Sequence, residues 1–184
     1  MVLAAAAFAG HAAAFGADAS DVRTARALVL TRPDVPSYWT ATIIRNPCPS
    51  VRHPDVRVSG RAASRFGGLR LGVWSVAQGA PGVSQARALY AHVVATLPIC
   101  VSRFWRNHYS PPTADRPEVH TSAGLVTNLG DERMRWRITV SPRENRRDPD
   151  RFDVLVVRKG RFVAQYVYSW DGGVSAVRQA LQRV

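Results

Sequence analysis

Three stretches of the chain carry apolar residues at the spacing of an amphipathic helix, which predicts one helix near each end and a long one between them. The first begins with Ser20 as its N-cap and ends before the prolines of residues 31–36. The central helix begins at about Ser84 and contains Pro98, which we expect to kink or restart it. The last spans residues 174–184. Each pattern places the apolar residues on one face, so each helix is predicted to pack against another layer.

Apolar residues alternate with polar ones elsewhere, which predicts strands. We expect strands at residues 38–45, 56–62 and 69–77 before the central helix, and at 118–127, 134–140, 152–157 and 162–170 after it. Gly160 closes the last hairpin, because a tight turn there needs positive φ. Short turns favour antiparallel pairing. The pattern predicts an α+β domain whose antiparallel sheet of about six strands packs against a long central helix and terminal helices.

Residues 1–19 form an Ala-rich apolar segment that resembles a signal peptide, and Ala17-Asp18-Ala19 suits cleavage by signal peptidase. No Lys or Arg precedes the apolar run and His11 interrupts it, so the basic start of a signal peptide is missing. A disordered tail and a membrane span are the alternatives. We predict a signal peptide, truncated at its start, over residues 1–19 and a single domain over residues 20–184.

The chain has two cysteines, Cys48 and Cys100, without C-x-x-C spacing or a neighbouring metal ligand. Such a pair favours one structural disulfide in an oxidising compartment, and the alternative is two independent buried thiols. With the signal segment, the pair predicts a secreted or cell-envelope protein.

The net charge of +12 comes almost entirely from arginine, since Lys159 is the only lysine. Such a surface attracts phosphates, anionic lipids or acidic polysaccharides in a salt-dependent way. Arg133, Arg135 and Arg137 share one face of a predicted strand, about 7 Å apart, which suits consecutive anionic groups. The alternative is a solvated sheet face. Nucleic-acid binding is disfavoured because Trp136 alternates inward, away from these arginines.

Several aromatic residues predict either core or the wall of an apolar cleft between sheet and helix. Tyr166, Tyr168 and Trp170 share strand parity, and Trp74 and Trp105 add to the hypothesis of a cleft. Four histidines have no metal-ligand spacing, so no metal or cofactor is predicted; they are His53, His92, His108 and His120. No catalytic motif is recognisable either.

Several short segments carry a resemblance to a known family: Ala27-Leu28-Val29-Leu30 leading into Asp34-Val35-Pro36 and Trp39, a cysteine in the following loop, and a long helix with Leu97-Pro98 and Cys100 near its end. They resemble exported actinobacterial proteins, which are similar to the extracellular sensor domains of mycobacterial Ser/Thr kinases and to lipoproteins with a PsbP/Mog1-like sandwich. Tyr38 replaces the glycine that usually precedes the tryptophan. The resemblance implies that sandwich and a binding domain without catalytic residues.

These observations predict a non-enzymatic secreted or cell-envelope domain, sensor-like in character, that binds an anionic or amphipathic ligand or partner. The partner classes are an envelope lipid, a glycan or a protein, without nucleic acid and without an integral membrane span. Two other classes stay open: a cell-envelope hydrolase whose site the fold assembles, and a structural interaction protein. The sequence leaves the oligomeric state and the ligand open.

Overall fold

The computed structural model describes residues 18–41, 48, 53–67, 72–108, 117–141 and 148–184. In chain order its elements are α1 (Ala19–Leu28), β1 (Gly60–Gly67), β2 (Gly72–Gly79), α2 (Val83–His108), β3 (Glu118–Gly124), β4 (Glu132–Ser141), β5 (Asp150–Lys159), β6 (Phe162–Tyr168) and α3 (Gly173–Gln182). A 3₁₀ turn, Arg32–Asp34, follows α1.

The six strands of the described chain form one sheet in the order β1-β2-β6-β5-β4-β3, and every neighbouring pair is antiparallel. Three hairpins, β1–β2, β3–β4 and β5–β6, lie side by side, and the last occupies the centre. The α+β class and the six-stranded antiparallel sheet predicted from the alternation are confirmed.

Two apolar cores lie on opposite faces of the sheet. On one face α2 buries Leu89, Val93 and Leu97 against inward side chains of β4 and β5 such as Ile138 and Val154. On the other face α1, the 3₁₀ turn and α3 cover mainly the half of the sheet that contains β1, β2 and β6. The domain therefore has three layers, helix–sheet–helix.

The central helix continues through Pro98 without interruption, so the expectation of a restart is wrong. Pro98 has no N–H for the carbonyl of Val94, and the helix loses one internal hydrogen bond there. The segment Val83–Asn107 is long and apolar enough to cross a membrane by length and composition. Its apolar face nevertheless packs on the sheet of the same domain, where Leu89 and Val93 are fully buried.

The amino-terminal part departs from the prediction at two points. Asp18, rather than Ser20, is the N-cap of α1, because its carboxylate accepts from the backbone N–H of Ser20 at 2.7 Å. Residues 38–41 do not form a strand; Ala41 makes an isolated antiparallel bridge with Phe66. The rest of the predicted first strand, residues 42–45, lies outside the described residues.

Candidate functional site

Cys48 and Cys100 form a disulfide, as predicted. Their Cα atoms are 6.0 Å apart although 52 positions separate them in sequence, so the bond ties α2 to the segment that precedes β1. Cys48 is buried in the core beneath α2. Because disulfides persist in oxidising compartments, the bond indicates an extracytoplasmic location.

The five aromatic residues predicted to line one cleft lie on opposite faces of the sheet. Trp74 and Trp105 belong to the core beneath α2, where Trp105 stacks on Phe152. Tyr166, Tyr168 and Trp170 lie in or against the core beneath α1 and α3. The sheet separates the two groups, so the structure does not bring these residues together into a shared cleft.

The three arginines predicted to bind anionic groups lie together on the sheet face opposite α2. We call this surface the arginine face and define it by Arg133, Arg135 and Arg137 on β4, Asp153 on β5 and Ser122 on β3. Register explains the grouping, because Arg137 is paired with Asp153 on one side and with Ser122 on the other. Arg133 and Arg137 are exposed, and Arg135 is half-buried between them.

Asp153 holds two of these arginines at once. Nη2 of Arg135 lies 2.6 Å from Oδ2 of Asp153, and Nε of Arg137 lies 3.2 Å from Oδ1 of the same carboxylate. The hydrogen bond that Arg135 donates to Asp153 raises the pKa of Arg135 and outweighs the effect of its partial burial. The shared carboxylate orients both guanidinium groups, and the Arg137 side chain keeps 49% of its surface exposed.

The loop that joins β3 to β4 borders the arginine face. Nε of Arg133 donates to the carbonyl of Val126 at 3.2 Å. The aliphatic stem of Arg135 lies over Gly124, where an added Cβ would be 3.3 Å from its Cδ. Gly124 therefore leaves room for the stem of Arg135, whose Nη2 bonds to Asp153 on β5.

A buried phenol lies beside the same face. Tyr168 is paired with Asp153 in the register, and its hydroxyl is buried without a hydrogen-bond partner among the described residues. Gly173 allows α3 to cover this ring, since an added Cβ would lie 2.1 Å from it. Burial raises the pKa of Tyr168, so its hydroxyl is a neutral group.

The described histidines do not assemble a metal site. The rings of His53 and His92 are 5.2 Å apart, and His120 lies 3.6 Å from Glu118. No group of three or more His, Cys, Asp or Glu side chains suited to a metal occurs within the described ranges. The side chain of His108 lies outside them.

Two residues of this region were missed by sequence reasoning. Asp153 occupies an alternating position of β5, but only the register of β4 and β5 shows that it meets Arg135 and Arg137. Leu125 follows β3 directly and is 95% exposed. The run of small residues directly before it, residues 121–124, was the available signal.

No family model matches the chain, and no curated protein matches it. Among solved structures it is similar to the crystal structure of the extracellular domain of PknH from Mycobacterium tuberculosis, with 8% sequence identity, a TM-score of 0.47, and 91% of this chain and 98% of that chain covered. A likeness this distant carries no argument about function. The resemblance to PsbP/Mog1-like proteins stays a prediction.

Proposed function

We propose that the protein is a non-catalytic binding domain of an extracytoplasmic compartment and that its arginine face holds the anionic groups of a ligand. The observation that carries the proposal is the alignment of Arg133, Arg135 and Arg137 at alternate positions of one strand, with the first and last exposed. Guanidinium groups pair with phosphate and carboxylate through two parallel hydrogen bonds, which favours arginine in such sites.

The arrangement favours a ligand with several negative charges. Arg133 and Arg137 are four residues apart along β4, about 13 Å at the usual rise per residue. Asp153 fixes the guanidinium groups of Arg135 and Arg137, so a ligand does not have to order them on binding. The cluster contains three arginines and one carboxylate, which leaves a net positive charge for the ligand.

The proposed extracytoplasmic location rests on the disulfide. Cys48 and Cys100 are joined in the core beneath α2, and a bond of this kind persists where thiols are not kept reduced. In a cell envelope or an extracellular medium, the arginine face would be exposed to acidic polymers and phosphate-bearing surfaces.

Binding of inorganic polyphosphate, measured by titration calorimetry at low and high salt, tests the proposal. Replacing Arg133→Gln and Arg137→Gln together removes two charged hydrogen-bond donors and should weaken binding at least about ten-fold. Added salt should weaken wild-type binding as well, because the contacts are at the surface.

The matched control replaces Arg23→Gln and Arg26→Gln, two exposed arginines of α1, and lowers the net charge equally. This variant should keep most of the wild-type affinity. An equal loss in both double variants would show that net charge rather than the arginine face controls binding, and no binding by the wild type would refute the proposal.

A further inference from the structure

Leu125 is an exposed apolar residue, whereas the other two apolar side chains of the same loop, Val126 and Leu129, are partly or fully buried. Its side chain is 95% exposed, whereas Leu129 is 1% exposed and Val126 packs against the core beneath α1 and α3. The loop therefore turns two of its apolar side chains inward and projects the third into solvent.

This residue is continuous with the arginine face. The residue before it, Gly124, lies under the stem of Arg135, and the carbonyl of the residue after it, Val126, accepts a hydrogen bond from Arg133 at 3.2 Å. The backbone of Leu125 is thus held between two arginine side chains. One apolar projection and a row of guanidinium groups share a single surface.

Two carboxylates lie near the arginine face, Asp131 at the end of the loop and Glu132 at the start of β4, and both are paired with arginine. Asp131 accepts from Nη1 of Arg158 at 2.9 Å and from the backbone N–H of Gly160 at 2.8 Å. Glu132 accepts from Nε of Arg158 at 2.9 Å. Arg158 is shared by both carboxylates, and Nε of Arg87 lies 3.5 Å from Glu132, so two cations balance the two negative charges.

We infer that the anionic partner of the arginine face is the headgroup layer of a membrane that contains anionic lipids, with Leu125 inserted among the acyl chains. The inference rests on the proposed function and narrows it. A soluble polyanion gains nothing from an exposed leucine, whereas a bilayer interface binds both an apolar side chain and the basic residues around it. Arginine also pairs bidentately with lipid phosphate.

Flotation with lipid vesicles tests the inference. Two kinds of vesicle are compared, one of phosphatidylcholine alone and one of phosphatidylcholine and phosphatidylglycerol in equal parts. The wild type should float with the mixed vesicles and not with phosphatidylcholine alone. Leu125→Ser should lower the partition coefficient about ten-fold, as expected for removing one inserted leucine. Arg133→Gln with Arg137→Gln should lower it about twenty-five-fold, at roughly five-fold per arginine near an anionic surface.

Ile99→Ser is the matched control, because Ile99 is a comparably apolar side chain on α2 that is 60% exposed. It should leave vesicle binding unchanged. In a Leu125→Trp variant, quenching of the new fluorophore by brominated acyl chains should exceed that of the wild-type tryptophans. Circular dichroism establishes that the variants are folded.

The outcomes separate this inference from the proposed function. Binding of polyphosphate without binding of mixed vesicles would overturn the lipid assignment and leave the arginine face as an anion site. Vesicle binding that Leu125→Ser does not weaken would overturn insertion of the loop. Failure with both polyphosphate and vesicles would overturn both proposals.

Discussion

Arg183 and Asp34 join the carboxyl-terminal end of the domain to the turn that follows its first helix. Nη1 of Arg183 lies 2.8 and 3.0 Å from the two carboxylate oxygens of Asp34. The same guanidinium donates to the carbonyls of Ala27 at 2.9 Å and Val29 at 3.0 Å. One side chain thereby satisfies two carbonyls at the end of α1, which would otherwise lack partners.

Replacing Arg183→Ala should lower the free energy of unfolding by about 2 kcal/mol, because it leaves these acceptors and a largely buried carboxylate without their donor. Urea unfolding followed by circular dichroism measures the change. Arg178→Ala, at an exposed position of α3, is the control and should change stability little. Equal effects of the two substitutions would show that the bonds of Arg183 contribute nothing specific.

Stability should depend on pH through Asp34. Burial raises the pKa of Asp34, but hydrogen bonds from Arg183 and Thr31 outweigh it and hold the pKa below its ordinary value of 3.8. The folded state therefore binds this proton less tightly than the unfolded state does. The stabilisation is complete well above pH 3.8 and is lost as the pH falls through the lowered pKa.

We expect wild type and Asp34→Asn to differ most in unfolding free energy near neutral pH and to converge on acidification. Urea titrations at a series of pH values down into the acidic range measure the difference. A difference that stays constant with pH would contradict the assigned pKa direction.

Tyr166 and Tyr168 provide a pair of substitutions with different expected effects. Both point to the core beneath α1 and α3, but the hydroxyl of Tyr166 donates to the carbonyl of Leu28 at 2.7 Å, whereas that of Tyr168 has no partner among the described residues. Tyr166→Phe should cost about 1 kcal/mol, and Tyr168→Phe should be neutral or stabilising by up to about 1 kcal/mol. Thermal unfolding of both variants tests this, and equal destabilisation would show that the Tyr168 hydroxyl is bonded in solution.

Removing the disulfide should destabilise the domain strongly. In the chain-entropy model a loop of this length contributes about 4 kcal/mol, so the double replacement Cys48→Ser and Cys100→Ser should lose about that much. Urea unfolding with and without a thiol reductant measures the loss. Reductant should shift the wild-type transition and leave that of the double variant unchanged; an unshifted wild type would mean that the bond contributes no stability.

The prediction of the arginine face depended mostly on the alternation of apolar and polar residues in β4. It placed Trp136 and Ile138 inward and the three arginines on the other face, as the structure has them. Asp153 could not be found in the same way, because alternation gives the face of each strand but not the register between strands. A two-residue shift in the register between β4 and β5 would keep each side chain on the same face of the sheet but would move Asp153 away from Arg137.

The hypothesis of a shared aromatic cleft was wrong for a related reason, and the alternative, that these residues belong to the core, is what the structure shows. Tyr166, Tyr168 and Trp74 lie on neighbouring strands, and Trp74 is paired with Val167, a residue of the opposite parity to the two tyrosines. Parity within one strand therefore does not show which residues of the next strand share its face. The helix N-cap shows a second limit, since Asp18 and Ser20 are both good caps and only the backbone hydrogen bonds distinguish them.

Both ends of the described domain emerge beside the β5–β6 turn. Near the amino-terminal end, Arg161 pairs with Asp21, and at the other end the ammonium of Lys159 donates to the carbonyl of Val184. A flexible linker from residue 184 to residue 18 would thus permit circular permutation. Opening the chain between Thr127 and Asn128, both exposed, would keep every strand and helix while freeing the loop that carries Leu125.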